Sequence, residues 1–321
     1  LQQSIADLGV AFKNFFSALK GKRQGPKVKP PRFKRKDNRQ SARFRIGGFS
    51  LKGDKVYLAK VGKLKVRWSR PLPSEPSSVT VIKDRAGRYF LSFVVEVQPV
   101  HIPAKNHSVG VDLGIKTFAV LSSGEQVRSA GYDRLNRKIR SAQRQLSRRV
   151  KGSKRRERVR LRIAKLKAKL RDIQKDFLHK LSTRLVRQNS VVCIEDLNLS
   201  GMVKNRKLAR AISEQGWREF RTMCEAQAVM IESREVSVIS RWEPTSQLCA
   251  DCGDRWGRLD LSVRELACLG CGSTQDRDEN ASRNIEQSGL ELARDSKRAW
   301  SGHKTSLGAI RAEASTHREV V

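Results

Sequence analysis

No stretch of this chain approaches the run of about eighteen apolar residues that spans a bilayer. No basic start followed by an apolar core and a small-residue cleavage site marks it for secretion. Both absences point to a cytoplasmic protein with no membrane partner. A glycine-rich phosphate loop of the Walker type is missing, which argues against P-loop nucleotide hydrolysis. Histidine is scarce: there are five, none near the cysteines or the candidate acids at ligand spacing, so histidine-based catalysis is disfavoured. Tyrosine is scarcer still, at three, and no strand-transfer constellation forms around any of them.

Negative charge is also in short supply. Asp and Glu total 32 against 67 Lys and Arg, a formal net charge of +35. Such a surplus strains a compact fold by self-repulsion unless a polyanion neutralises it. Nucleic acid, gripped through its phosphates, is the partner this implies. The basic residues are spread over several segments and no isolated basic amphipathic helix stands out, which disfavours a membrane surface.

The pattern along the chain divides it. Ile5, Leu8, Phe12, Phe15, Phe16 and Leu19 recur at helical spacing, and a basic, proline-broken loop follows over 21–38. Because the chain starts at Leu1 inside that helical pattern, it reads as incomplete at its N-terminus. Residues 1–41 form this first segment. Period-two alternation then runs from about Ala42 to Val97, in stretches such as Leu64–Trp68 and Tyr89–Val97, with turns at Gly53-Asp54 and Asp84–Gly87. Several short strands at this spacing predict a small all-β barrel or sandwich. Three further strands follow from Ser108 to Arg128.

Residues 131–188 are helical and basic. Leu135, Ile139, Ala142 and Leu146 form one stripe, and Val159, Ile163, Leu166, Leu170, Ile173 and Phe177 form a second beyond Gly152-Ser153. This predicts an antiparallel helical hairpin, with Arg148, Arg149, Lys151, Lys154, Arg155 and Arg156 at a tip suited to phosphates. An apolar strand at 191–194, a helix near 213–230, a strand near 235–240 and a last helix from about Glu279 complete the folded part. A polar tail is expected over 296–321.

Four of the six cysteines form two C-x-x-C pairs, Cys249/Cys252 and Cys268/Cys271, with fifteen residues between the pairs. Each pair is followed by glycine, at Gly253 and Gly272, which suits a tight turn. Four thiolates at this spacing predict one structural zinc ion with no open position for catalysis, and folding energy for a module too small to supply its own. Cys193 and Cys224 lie in apolar surroundings and read as buried small hydrophobes.

Three separated acidic sites suggest a hydrolytic metal centre. Asp112 ends the strand Val109-Gly110-Val111, and Glu195 ends the apolar strand Val191–Ile194. Asp196 follows on the opposite strand face. The third is either Asp276 or Asp278, and either could instead cap the last helix. Two Mg²⁺ ions need carboxylates from several elements, and such a pair serves phosphodiester cleavage by in-line attack.

Taken in order, these motifs resemble the transposon-encoded TnpB (OrfB) family, relatives of the type V CRISPR effectors. The likeness covers about residues 1–290. It rests on Gly110-Val-Asp112-Leu-Gly114, Ile194-Glu195-Asp-Leu197, Thr245–Gly253, Cys268–Gly272 and Asp276-Arg-Asp278-Glu-Asn280-Ala281. The resemblance implies an α/β, RNase H-like (RuvC-type) nuclease core over 106–245 and 276–295. A zinc ribbon at 246–275 and the basic hairpin at 131–188 are inserted in it, and a barrel-like wedge domain over 42–105 precedes it. It also implies Asp112, Glu195 and Asp278 as catalytic and Mg²⁺-holding residues, favouring Asp278 over Asp276. A guide RNA and a DNA target are the partners it implies. Alternative readings are a nuclease-inactive, RNA-guided repressor and a transposition accessory protein.

Overall fold

In the computed structural model, residues 2–23, 25, 27–33, 38–257, 260, 263–300 and 311–315 are described. They divide into two compact units, one built mainly from residues 1–97 and the other mainly from 98–138 and 169–307.

The first unit opens with helix α1 (Gln2–Leu19), whose apolar stripe buries no residue. Six strands follow: β1 (Gln40–Arg45), β2 (Phe49–Lys52), β3 (Lys55–Leu58), β4 (Gly62–Lys65), β5 (Ser78–Lys83) and β6 (Tyr89–Glu96). Strands β2, β3 and β4 form one antiparallel sheet, while β1, β5 and β6 form another that a strand at Arg311–Ser315 extends on β6. Alternation explains the packing: Val56 and Leu58 of β3 are buried, whereas Lys55 and Tyr57 face out. Val56 and Leu58 join Val79, Leu91, Phe93 and Val95 in one core, with Trp68 stacked on Phe93.

The second unit begins with β7 (Asn106–Leu113), β8 (Ala119–Leu121) and β9 (Gln126–Val127). Helices α2 (Asp133–Ser147) and α3 (Lys154–Gln188) are the two arms predicted over 131–188, and the middle of that hairpin, 139–168, groups with the first unit. Then come β10 (Asn189–Glu195), α4 (Leu199–Met202), α5 (Ala209–Gln215), α6 (Trp217–Ala228) and β11 (Glu235–Ile239). A small hairpin of β12 (Glu265–Ala267) and β13 (Thr274–Asp276) leads into α7 (Arg277–Trp300), and β14 is the strand at Arg311–Ser315. The final helix thus runs beyond residue 295, and a strand lies within the span expected as polar tail. Residues 301–310 and 316–321 of that span lie outside the described residues.

The central sheet has the order β11-β10-β7-β8-β9. β7, β8 and β9 are an antiparallel meander, whereas β10 runs parallel to β7 and β11 parallel to β10. Helices cover both faces. On one, Val109, Val111, Val192 and Ile194 meet Leu178, Leu181 and Leu185 of α3 and Trp217, Phe220 and Cys224 of α6. On the other, Val191 and Cys193 meet Ile285 and Ala293 of α7.

Two glycines let α7 lie directly on the strands. A Cβ on Gly110 would collide with the Ser282 carbonyl oxygen, and one on Gly289 would sit 2.5 Å from the Cys193 Sγ. A third glycine breaks the helix expected near 213–230. Gly216, at φ +75°, ends α5 and starts α6, where a side chain would press against Gln174 and Leu178 of α3.

Candidate carboxylate site and cysteine centre

The register of the parallel pair brings two of the expected acids together. Cys193 lies opposite Gly110 and Ile194 opposite Val111, so Glu195 and Asp112 are the next residues on adjacent strands. Asp112 shares the phase of Gly110, and Glu195 that of Val191 and Cys193. Both acids therefore belong to the α7 face of the sheet. Asp278 arrives from α7 itself, at its second residue.

The electrostatics record this convergence. Asp112 has its pKa pushed up from 3.8 to about 7, first by burial and then by the negative charges of Asp278 and Glu195. An N–H of Leu113 and the charge of Arg277 oppose the shift without cancelling it. Glu195 is also raised, by burial and then by Asp196. Asp278 is held by the Arg264 guanidinium at 3.1 Å. The three carboxylates are an open cluster: among the described residues, only the four cysteines form a group of metal-binding side chains whose ligand atoms all lie within 4.8 Å of one another. As a donor set the acids are oxygen-only and mutually repelling, which fits a hard divalent cation.

The rival acids have other work. Asp276 Oδ1 accepts hydrogen bonds from the backbone N–H groups of Asp278 (2.9 Å) and Glu279 (3.1 Å). It caps α7, which leaves the Asp278 side chain to the cluster. Asp196, on the opposite strand face from Glu195, pairs with Arg241 and with Arg221 (2.9 Å). Hydrogen bonding from Arg241 and the charges of both arginines hold its carboxyl below the usual range.

The four predicted cysteines meet at one point. Cys249 Sγ and Cys271 Sγ stand 3.8 Å apart, and Cys252 Sγ and Cys268 Sγ 3.6 Å. Four sulfurs each about 2.3 Å from a shared ion lie roughly 3.8 Å from one another in a tetrahedron, so the spacing fits zinc. Both knuckles close alike, with the Gly253 N–H donating to the Cys249 carbonyl and the Gly272 N–H to that of Cys268. Each glycine is left-handed, at φ 78° and 76°. Cys193 and Cys224 are buried apart from this group, and burial pushes the Cys193 thiol up to about 12.

Sequence reasoning missed the asparagines that tie the cysteine module to α7. Asn280 is fully buried, accepts from the Ala250 N–H and donates to the Leu248 carbonyl. Asn284, one turn on, donates to the carbonyls of Thr245 and Leu248. Their spacing of four on a helix that begins at the acids was the available signal. The helix that carries Asp278 is thereby anchored to the cysteine module on one side and to the sheet on the other.

Residues 92–206 match a family model described as "Probable transposase" (OrfB of IS605), and residues 217–285 match one described as "Cas12f1-like, TNB domain". A protein of Streptomyces pristinaespiralis named "Putative RNA-guided DNA endonuclease" is 45% identical over 295 residues, covering 90% of this chain and 71% of that protein. A relative from Escherichia coli (strain K12), of the same name with the suffix InsQ, is 31% identical over 311 residues, covering 90% of this chain and 74% of its own. Among solved structures, the "Cas12f1-sgRNA-target DNA complex" aligns with a TM-score of 0.45 at 16% identity, covering 66% of this chain and 45% of that one.

Proposed function

The chain belongs to the TnpB (OrfB) family, and from that membership we propose that it is an RNA-guided, Mg²⁺-dependent DNA endonuclease of a mobile element. Asp112, Glu195 and Asp278 are its catalytic carboxylates. The central sheet, with its antiparallel meander and two added parallel strands, supports reading the second unit as an RNase H-like, RuvC-type core. The two packed sheets of the first unit support a barrel-like wedge domain, and the four converging thiols support a zinc ribbon.

The observation that carries the proposal is convergence: Glu195, 83 residues from Asp112 along the chain, follows the paired residues of the adjacent strand, and Asp278, 166 residues away, stands at the start of the helix packed on those strands. After burial, the charges of both acids hold the Asp112 carboxyl above its usual range. A protein with a surplus of +35 has cations enough to pair every acid on its surface. It nevertheless half-buries three carboxylates beside one another, at the cost of mutual repulsion. Divalent cations held by Asp112, Glu195 and Asp278 would supply Lewis-acid polarisation and charge neutralisation at a phosphodiester. The chain's own part is to fix the three carboxylates. Two are set by the β7–β10 register and one by a capped helix packed on glycine. The zinc ribbon holds the start of that helix and takes no part in the chemistry.

Guide RNA and DNA target are the partners of this reading, since relatives at up to 45% identity carry the name RNA-guided DNA endonuclease. Base pairing would then read sequence while the basic protein grips backbone. Asp112→Ala and Glu195→Ala should each lower Mg²⁺-dependent DNA cutting by a factor of a thousand or more while leaving RNA binding intact. A cleavage assay with the co-purifying RNA reads this, and undiminished cutting by either variant rejects the assignment. A wild-type protein that binds RNA and DNA yet never cuts would instead favour the repressor reading.

A further inference from the structure

Strand β13 delivers consecutive residues to two different tasks. Asp276 caps α7, whereas Gln275, on the opposite face of the strand, turns its side-chain amide to the cysteines. The amide nitrogen of Gln275 stands 3.4 Å from the Cys249 Sγ, 2.6 Å from Asp251 Oδ2 and 3.0 Å from Ser273 Oγ. Its oxygen accepts from Arg283 Nη1 at 3.3 Å, and Arg283 Nη2 donates to Asp251 Oδ1 at 2.5 Å. Acceptors on one side and a guanidinium on the other leave the amide one orientation. Arg283 belongs to α7, and with Asn280 and Asn284 it occupies one face of that helix, at a spacing of three and four. Asn280 grips the residues on either side of Cys249, through the Leu248 carbonyl and the Ala250 N–H. The Cys249 knuckle and the first turns of α7 are thus joined at several points.

Four thiolates around Zn²⁺ leave about two negative charges uncompensated. Asp251, in the first knuckle, and Asp254, 3.9 Å from the Cys268 Sγ, add to them. Arg283 neutralises Asp251, and the sulfurs themselves are relieved by donors: the Ser273 hydroxyl 3.1 Å from the Cys271 Sγ, and the Gln275 amide at Cys249. A hydrogen bond to an ionised acceptor is roughly twice as strong as one to a neutral group. Metal binding keeps the sulfurs ionised, so these bonds tighten when the site is filled and slacken when it is empty. We propose that Gln275 is a positioning residue: its bond to Cys249, continued through Asp251 and Arg283, makes metal occupancy of the cysteines govern how firmly α7 holds Asp278. The nuclease reading supplies only what Asp278 does; the link belongs to the cysteine module and the helix, and its test does not depend on cutting.

The full chain is loaded with Co²⁺ in place of Zn²⁺, because the sulfur-to-cobalt absorption band reports electron density on the thiolates. Gln275→Leu keeps the bulk of the side chain and removes its N–H. The band should move to lower energy, and in competition with a chromophoric chelator zinc should bind about 10- to 100-fold more weakly. Hydrogen exchange over residues 277–284 reads the helix. In wild type, stripping zinc should speed that exchange on the order of tenfold or more. Zinc-loaded Gln275→Leu and Arg283→Met should each exchange faster there than zinc-loaded wild type. A cobalt band unmoved by Gln275→Leu would overturn the thiolate contact, and equal exchange in loaded and stripped wild type would overturn the link to α7. Should stripping also release the central strands, the zinc-loaded variants decide alone, and exchange equal to that of loaded wild type would overturn the link. A chain that passed these tests yet failed to cut DNA would reject only the nuclease reading.

Discussion

Asp112 offers a test at the scale of one proton. Burial and the charges of Asp278 and Glu195 disfavour its ionised form in the folded chain, so its pKa of about 7 lies above the ordinary 3.8. A group raised in this way contributes stability that is fully present below the unfolded value and is lost as the pH climbs through 7. Asp112→Asn keeps the shape and removes the charge. Without added divalent cation, the variant should match wild type near pH 4 and melt several degrees higher near pH 8. Thermal melts across that range check it, and a difference that did not vary with pH would contradict the cluster. Residue chemistry was legible unevenly. The cysteines announced themselves because two C-x-x-C pairs have few other uses. Asp276 and Asp278 could not be told apart by composition, since both suit a helix start. The family resemblance favoured Asp278, and the hydrogen bonds that Asp276 accepts from the N–H groups of Asp278 and Glu279 give the physical reason, separating cap from cluster.

At the scale of elements, everything about Asp278 depends on where α7 lies, and two glycines govern that. The Ser282 carbonyl occupies the space a Cβ on Gly110 would need, and that atom is backbone, so relief requires moving the helix or the strand. Gly110→Ala should cost about 3 kcal/mol, the upper part of the range for overpacking. Because the shift displaces Asp278 from Asp112, it should also depress cutting more than it depresses RNA binding. Gly131→Ala is the matched control, since nothing lies within 4 Å of its Cβ position. Urea denaturation of the two variants decides the matter, and equal midpoints would remove the close-packing argument.

The elements that sequence pattern revealed are those whose burial repeats. The strands of 42–97 alternate, and the stripes of 131–188 recur at three and four. What escaped the pattern was set by contacts distant in the chain. The break at Gly216 interrupts a stretch whose helical character continues on both sides, and its cause is the closeness of Gln174 and Leu178 on α3. The strand Arg311–Ser315 has neither β-branched nor aromatic residues, and it exists by backbone pairing to the open edge of β6. The asparagines of α7 look like surface residues until the cysteine module is set beside them.

For the whole molecule the governing quantity is the surplus of +35, which needs no coordinates to be read because it is a count. The fold adds where some of that charge is concentrated. In the three-stranded sheet, Lys55 of β3 is flanked in register by Lys52 of β2 and Lys65 of β4, all exposed. Like charges directly opposite on neighbouring strands are destabilising. A row of three is therefore a feature whose repulsion a polyanion would relieve. Each phosphate contact releases counterions and adds about 0.9 to the slope of log affinity against log salt. Binding of a labelled structured RNA should thus weaken about a thousandfold or more between roughly 50 and 200 mM salt. Replacing Lys52, Lys55 and Lys65 together by Gln should flatten that slope by up to roughly 3 while leaving the free protein as stable as wild type or more so. Affinities measured across a salt series for both proteins separate the possibilities. An unchanged slope with an unchanged affinity would mean that this row meets solvent, and the basic surface that holds nucleic acid would have to be sought elsewhere on the chain.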